Sequence, residues 1–238
     1  MNRLVAVLRP EPGASATARR LHAAGLEPLV VPLFTIAAID DRLPDDGNPQ
    51  ALMITSAHAV RHGADVIRQH PGLPIYTVGK ASAAALRPLV TAPIHIAPEG
   101  NAPSLIACAT SHGVTRVLHI SGEDVRPVDA PNISITRQIV YRAAPVAAVP
   151  DALIKSWSQL AIIMVHSPRA AAVLDQLTAL AGLARDHVAL VAISPAAAQA
   201  AASGWNDVHI AARPDDEAML AVACQLCQKG ADDGGTTA

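Results

Sequence analysis

Four short segments put small or hydroxylic residues where an apolar run gives way to an Ala-rich stretch: Thr55-Ser56, Gly79-Lys80, Ser167-Pro168 and Ser194-Pro195. A helix starting at such a point offers unpaired N–H groups and the positive end of its dipole, which suits anions such as carboxylates. Ser and Thr at these points also cap helices by accepting a backbone N–H, and capping alone accounts for any single junction. Four junctions converging between two lobes favour an anion-binding cleft. The basic residues lean the same way, with 15 Arg against three Lys. Arg9, Arg126, Arg137, Arg142 and Arg169 fall beside strand ends or connecting segments, and a guanidinium meets a carboxylate through two parallel bonds. Each also reads, taken alone, as a solvated surface charge.

Other chemistries find less support. There is no GxxxxGK[ST] loop, and no GxGxxG follows the first strand. Arg9-Pro10-Glu11-Pro12-Gly13 stands there instead, and an acid between two prolines does not suit a pyrophosphate. His58 and His62 have the i, i+4 spacing of metal ligands, but no third ligand lies near and Arg61 adds charge between them, so they read as rim histidines. Cys224-Gln225-Leu226-Cys227 has redox spacing, yet it lies on the last helix and reads as a pair of small hydrophobes. Neither a GxSxG elbow nor a Cys/His pair supports nucleophilic catalysis.

The elements that must hold these residues follow from the apolar pattern. Strands are expected at Leu4–Leu8, Pro28–Val31, Ala51–Ile54, Ile75–Val78, Ile94–Ile96, Val117–Ile120, Ile162–Val165, Val188–Ile193 and Val208–Ile210. Helices are expected near 14–24, 57–69, 81–90, 102–112, 168–181, 196–203 and 215–228. Short strands alternating with helices imply βαβ units, and continuous apolar runs imply parallel sheets buried on both faces. With 238 residues, 51% hydrophobic and 16% charged, the chain can build such cores without disulfides. Only Phe34, Tyr76, Tyr141, Trp157 and Trp205 are aromatic and the net charge is −2, so nucleic-acid binding is not expected. No apolar run reaches the ~18 residues of a membrane helix. The short run after Met1-Asn2-Arg3 reads as a buried strand rather than a leader, and three cysteines form no disulfide framework. A cytosolic protein is expected.

An internal repeat organises the chain. Met53-Ile54-Thr55-Ser56-Ala57-His58-Ala59 parallels Met164-Val165-His166-Ser167-Pro168-Arg169-Ala170. Tyr76-Thr77-Val78-Gly79-Lys80-Ala81-Ser82-Ala83 parallels Val191-Ala192-Ile193-Ser194-Pro195-Ala196-Ala197-Ala198, and His95-Ile96-Ala97 parallels His209-Ile210-Ala211. The offsets are 111, 115 and 114 residues. The first strand and helix have no counterpart ahead of the second unit, so residues 1–35 are expected to complete a lobe with 146–238. The lobe 41–135 is then inserted, with 36–40 and 136–145 as β-type linkers that permit hinge motion. The tail Gly230–Ala238 has nothing to bury and is expected to be disordered.

Taken in order, these segments resemble the uroporphyrinogen-III synthase family. The resemblance rests on Val7-Leu8-Arg9-Pro10-Glu11-Pro12-Gly13, Ile54-Thr55-Ser56-Ala57-His58-Ala59-Val60, the segment Tyr76–Ala83, Ile139-Val140-Tyr141-Arg142, His166-Ser167-Pro168 and Ile193-Ser194-Pro195. It implies two flavodoxin-like lobes with parallel sheets, the first discontinuous, joined by a two-stranded linker. It implies cyclisation of hydroxymethylbilane with inversion of the last pyrrole and loss of water, with no cofactor and no metal. The implied partner is this linear tetrapyrrole with its eight carboxylates; the protein itself is expected to be a monomer that takes up neither nucleic acid nor membrane. Tyr141 matches the tyrosine assigned to the departing hydroxyl. Implied substrate contacts are Arg9, Thr55, Ser56, Gly79, Lys80, Ser82, Arg142, Ser167, Arg169, Ser194 and Ala197.

Two departures accompany the resemblance. The family's turn at this place in the discontinuous lobe commonly reads Gly-Pro-Thr-Thr-Ala, whereas Ser194-Pro195-Ala196-Ala197-Ala198 lacks both threonines; Ser82 keeps the related hydroxyl in the inserted lobe. Glu123–Asn132, with Pro127 and Pro131, is too short and broken for the usual helix. The competing reading is a non-catalytic protein on the same scaffold that binds tetrapyrroles or small anions.

Overall fold

Strands that are apolar throughout need cover on both faces, and alternating helices provide it. The computed structural model describes residues 4–39, 47–125 and 128–232, the last four as backbone. The chain opens with β1 (Leu4–Val7), α1 (Gly13–Ala23), β2 (Glu27–Val30) and β3 (Phe34–Ala38). Next come β4 (Ala51–Ile54), α2 (Ala57–His62), α3 (Ala64–Gln69), β5 (Ile75–Thr77), α4 (Lys80–Leu86) and β6 (Ile94–Ile96). Then follow α5 (Ala102–Ser111), β7 (Arg116–Gly122), β8 (Ser134–Pro145), α6 (Asp151–Ser156) and β9 (Leu160–Val165). The last elements are α7 (Pro168–Leu180), β10 (Ala189–Ala192), α8 (Pro195–Ala200), β11 (Asp207–Ile210) and α9 (Asp216–Asp232). The chain divides into two compact units, Met1–Thr35 with Pro145–Ala238, and Ile36–Ala144.

The fold is α/β with two sheets. The first runs β11-β10-β9-β1-β2, parallel throughout. Counted within its own unit this is the doubly wound order 2-1-3-4-5, which places the reversal of strand order between β1 and β9. The second sheet runs β3-β8-β7-β4-β5-β6, and β8 through β6 pair in parallel. Without β3 its internal order is 3-2-1-4-5 counted outward from β4, with the crossing of directions between β4 and β7. The triplets β4-β5-β6 and β9-β10-β11 lie in the same order, as the repeat in the sequence requires.

Each sheet carries its own core. In the first, Val5, Val7, Ile162, Met164 and Val191 pack with Leu21 of α1 and Met219 of α9. In the second, Leu52, Ile54, Ile75, Leu118 and Ile120 pack with Val60, Ile67 and Leu86 on one side, while Met53 and Val117 meet Leu105 on the other. Truncating such a fully buried leucine costs about 2–5 kcal/mol.

Several local expectations change. The helix expected over 57–69 breaks into α2 and α3 at Gly63, where a Cβ would stand 2.6 Å from Ile120 Cγ2 and 2.8 Å from the Ala59 carbonyl. That close approach lets the segment bend onto β7, a contact local periodicity does not encode. The short helix α6 comes as an addition. The expected tail disorder is corrected at 230–232, where α9 continues; 233–238 lie outside the described residues, as do Met1, Asn2, Arg3, Asp40, Arg126 and Pro127. No helix among the described residues is long and apolar enough to cross a membrane.

Candidate functional site

In open α/β sheets ligands bind beyond the carboxyl ends of the strands, where the strand order reverses. In the second sheet that point lies past the ends of β4 and β7, which carry Thr55-Ser56 and Gly122. Ser56 opens α2 as its N-cap, accepting the His58 N–H at 3.1 Å. The same oxygen accepts the Tyr141 hydroxyl at 3.2 Å from β8. A serine oxygen accepts two hydrogen bonds and donates one. Both acceptor places are used, so the Ser56 proton is left to be given outward. Thr55 Oγ1 lies 3.3 Å from His119 Nε2. A cavity of about 360 Å³ opens here, lined by Thr55, Ser56, His119, Gly122, Asp124 and Tyr141 among others.

A break in β8 explains how Tyr141 arrives there. Strict alternation puts Ile139 and Tyr141 on one face with Val140 opposite. The register instead slips: Ser121 pairs with Ile139, but Gly122 pairs with Tyr141, leaving Val140 as an extra residue on β8. The expected alternation is therefore corrected by a β-bulge, a device that re-aims a side chain. Val140 and Tyr141 consequently pack against the same core cluster. The phenol ring crosses Gly122 so closely that a Cβ there would stand 2.5 Å from Tyr141 Cζ and 2.9 Å from both Cε atoms. His58 and His62 flank the ring at centroid distances of 5.5 and 5.9 Å.

Electrostatics around the cavity have definite causes. His119 is buried, and burial together with the Arg137 charge pushes it down to about 4, so it is neutral near pH 7. Arg137 donates to the carbonyls of Gly122 at 2.9 Å and Glu123 at 3.1 Å, fixing the end of β7. Arg142 is exposed and meets Glu123 at 3.3 Å. Lys80 is exposed at the start of α4 behind the extended Gly79. Ser82 is buried at 5% exposure, because it points into the lobe from the first turn of α4.

At the carboxyl ends of β1, β9 and β10 in the first sheet, the expected residues are engaged within the protein. Ser167 accepts the Ala170 N–H at 3.1 Å and Ser194 accepts the Ala197 N–H at 3.3 Å, each capping its helix. Ala197 is fully buried. The Arg169 guanidinium lies over the Phe34 ring, 4.8 Å from its centroid. Arg9 lies 3.4 Å from Asp216, which opens α9. Asp216 also accepts from Thr17 at 2.7 Å and pairs with His166 at 3.0 Å and Arg20 at 2.5 Å. Burial opposes its charge, but the bonds from His166, Thr17 and Arg20 hold the carboxyl well below the usual range. Burial pushes the His166 ring down against the pull of Asp216.

Reading motifs alone overlooks His119, Gly122 and Asp216. His119 has a visible signal, a histidine inside the apolar run Val117–Ile120. Gly122 and Asp216 have none, since their roles rest on Tyr141 and on Arg9, Thr17 and His166, far away in sequence. Among the described residues no group of three or more His, Cys, Asp or Glu is placed to hold a metal ion.

Comparison with known proteins bears on what this arrangement does. The family model described as uroporphyrinogen-III synthase HemD matches residues 15–221. No curated protein matches the sequence significantly. Among solved structures, the uroporphyrinogen-III synthetase of Helicobacter pylori is similar with a TM-score of 0.61 at 16% identity, over 95% of this chain and 100% of that one. A mutant uroporphyrinogen III synthase of the extremely thermophilic bacterium Thermus thermophilus gives 0.53 at 16% identity, over 95% and 99%. At such identities the likeness is one of fold.

Proposed function

The chain belongs to the uroporphyrinogen-III synthase family, the cofactor-independent cyclising lyases of haem biosynthesis, and from that premise we propose how its own residues perform the reaction. The family closes hydroxymethylbilane to a macrocycle, inverting the last pyrrole and losing water. Departure of the hydroxymethyl hydroxyl leaves a resonance-stabilised cation, so the protein's work is to assist that departure and to hold the chain for attack at the substituted carbon. Positioning of this kind removes much of a barrier.

One observation carries the reading: the Tyr141 phenol reaches Ser56 at the wall of a cavity beyond the strand ends. In this reading the phenol turns from Ser56 to the departing hydroxyl and donates to it. Ser56, already accepting from the His58 amide, supplies a second donor. Neutral His119 keeps Thr55 in place without adding a positive charge that would repel the cation. Substrate carboxylates are received by Arg9, Lys80, Arg142 and Arg169, and by the junctions at Thr55, Gly79, Ser82, Ser167, Ser194 and Ala197. For Ser82 and Ala197, both buried, contact requires the first turn of the helix to shift. The working lobes are 1–35 with 146–238, and 41–135, joined by 36–40 and 136–145; the division into compact units near 35 and 145 supports those bounds. A cytosolic monomer fits three part-buried cysteines that form no disulfide, as a reducing compartment favours.

Tyr141→Phe tests the reading, since it removes only the hydroxyl. Losing one transition-state hydrogen bond of about 1–3 kcal/mol slows formation of type III product roughly 5- to 150-fold, with melting nearly unchanged. Type III at the parental rate in this variant would remove Tyr141 from the chemistry.

A further inference from the structure

The arrangement at the first sheet has an odd feature. Where the strand order reverses, the place for an incoming carboxylate is already taken by a carboxylate of the protein. Asp216 gathers Thr17 and Arg20 from α1, Arg9 from the β1–α1 turn and His166 from the β9–α7 turn. Its side chain is 13% exposed and that of His166 6%, whereas Arg9 keeps 34%. Arg20 is more exposed still, at 55%, so a ligand can reach both arginines, and Arg9 is the one held further in. The Arg9 guanidinium is also laid across Gly13, where a Cβ would come within 2.5 Å of Nε and 2.9 Å of Nη2. Two contacts thus fix one planar cation: a bare glycine beneath it and Asp216 beside Nη1.

We propose that Asp216 is a positioning residue, which orients Arg9 toward a substrate carboxylate and limits how tightly the cationic cluster holds it. The inference rests on the synthase reading above. The charge arithmetic is simple. With His166 neutral, Asp216 leaves Arg9 and Arg20 with a net charge of one; Asp216→Asn leaves two. A polyanion should then bind more tightly at low ionic strength, because the internal competitor is gone. The same change frees the guanidinium to swing, so productive placement of the substrate suffers. Tighter binding with poorer turnover is the pattern expected when ground-state attraction rises and orientation is lost.

Two measurements on the full chain test this. The first is binding of uroporphyrin III, the oxidised octacarboxylate product, to parent and Asp216→Asn across a salt series. Affinity should rise about two- to five-fold in the variant at low salt, the range of one exposed charge partner, and the difference should vanish at high salt. The second is isomer-resolved turnover, in which Asp216→Asn should show a lower KM, a lower kcat and a larger share of type I product. Thr17→Val, which removes one hydrogen bond to the same carboxylate and leaves every charge in place, should keep the parental KM and isomer ratio. Its melting temperature shows what loss of packing alone does. Unchanged affinity and isomer ratio in a folded Asp216→Asn overturn the proposal, as does an equal effect of Thr17→Val. A parent that makes only type I product counts against the synthase reading, and the binding series then decides the Asp216 proposal by itself.

Discussion

Gly122→Ala is the sharpest perturbation available, because it reaches Tyr141 without touching it. Gly122 lies on β7 outside the left-handed region, so alanine costs nothing in backbone conformation there. Its methyl would nevertheless stand 2.5 Å from Tyr141 Cζ. Ordinary contact begins near 3.4 Å, so the ring must retreat by about 1 Å. The hydroxyl bond to Ser56, 3.2 Å in the parent, then passes beyond hydrogen-bonding range. Misplacing a reacting group by 1 Å is a loss of the order of 100-fold in rate. The stability change should be smaller, about 1–3 kcal/mol, as for other overpacked sites. The assay is isomer-resolved turnover of parent, Gly122→Ala, Tyr141→Phe and the double variant. If alanine acts by moving the hydroxyl, the double variant should be no slower than the worse single one, a non-additivity that reports one shared interaction. Additive losses, or a Gly122→Ala protein at the parental rate, would refute the reasoning.

Two further expectations follow from the same geometry. His119 binds its proton less readily folded than unfolded, where its value is near 6.5. Its contribution to stability is therefore complete above about pH 6.5 and declines as pH falls toward 4, by up to about 3 kcal/mol. In denaturant titrations His119→Gln should flatten that slope relative to the parent; an identical slope would show that His119 does not carry it. Ser167→Ala removes the cap on α7 and should cost about 1 kcal/mol, lowering the melting temperature by about 2–4 °C. An unchanged melting curve would mean that the cap is not what Ser167 contributes.

How much of this was legible in the sequence differs by level. Runs such as Leu52-Met53-Ile54 and Ile162-Ile163-Met164-Val165 announced strands buried on both faces, and the repeat announced that β4-β5-β6 and β9-β10-β11 are alike. The junction serines were legible as caps, since the local order of strand, serine and helix decides that role. The bend at Gly63 was not, because its cause is Ile120, 57 residues away. The bulge at Val140 was hidden as well: alternation assumes an unbroken ladder, and only the partner strand reveals the slip. The environment of Arg9 was least legible. Its basic character suggested a ligand for carboxylates, while its neighbour Asp216 stands 207 residues along and looks like any acid in a first helical turn.

The central claim is that the chain closes hydroxymethylbilane with inversion of the last ring, and one measurement tests it most directly. Hydroxymethylbilane closes by itself to the uninverted type I product, so the isomer formed separates catalysis from mere binding. Purified protein incubated with fresh hydroxymethylbilane, followed by oxidation and chromatographic separation of the isomers, should give type III as the main product. The share of type III should rise with protein concentration. Type I alone at every concentration, from protein that still binds the octacarboxylate product, would contradict the account and leave a tetrapyrrole-binding protein in its place.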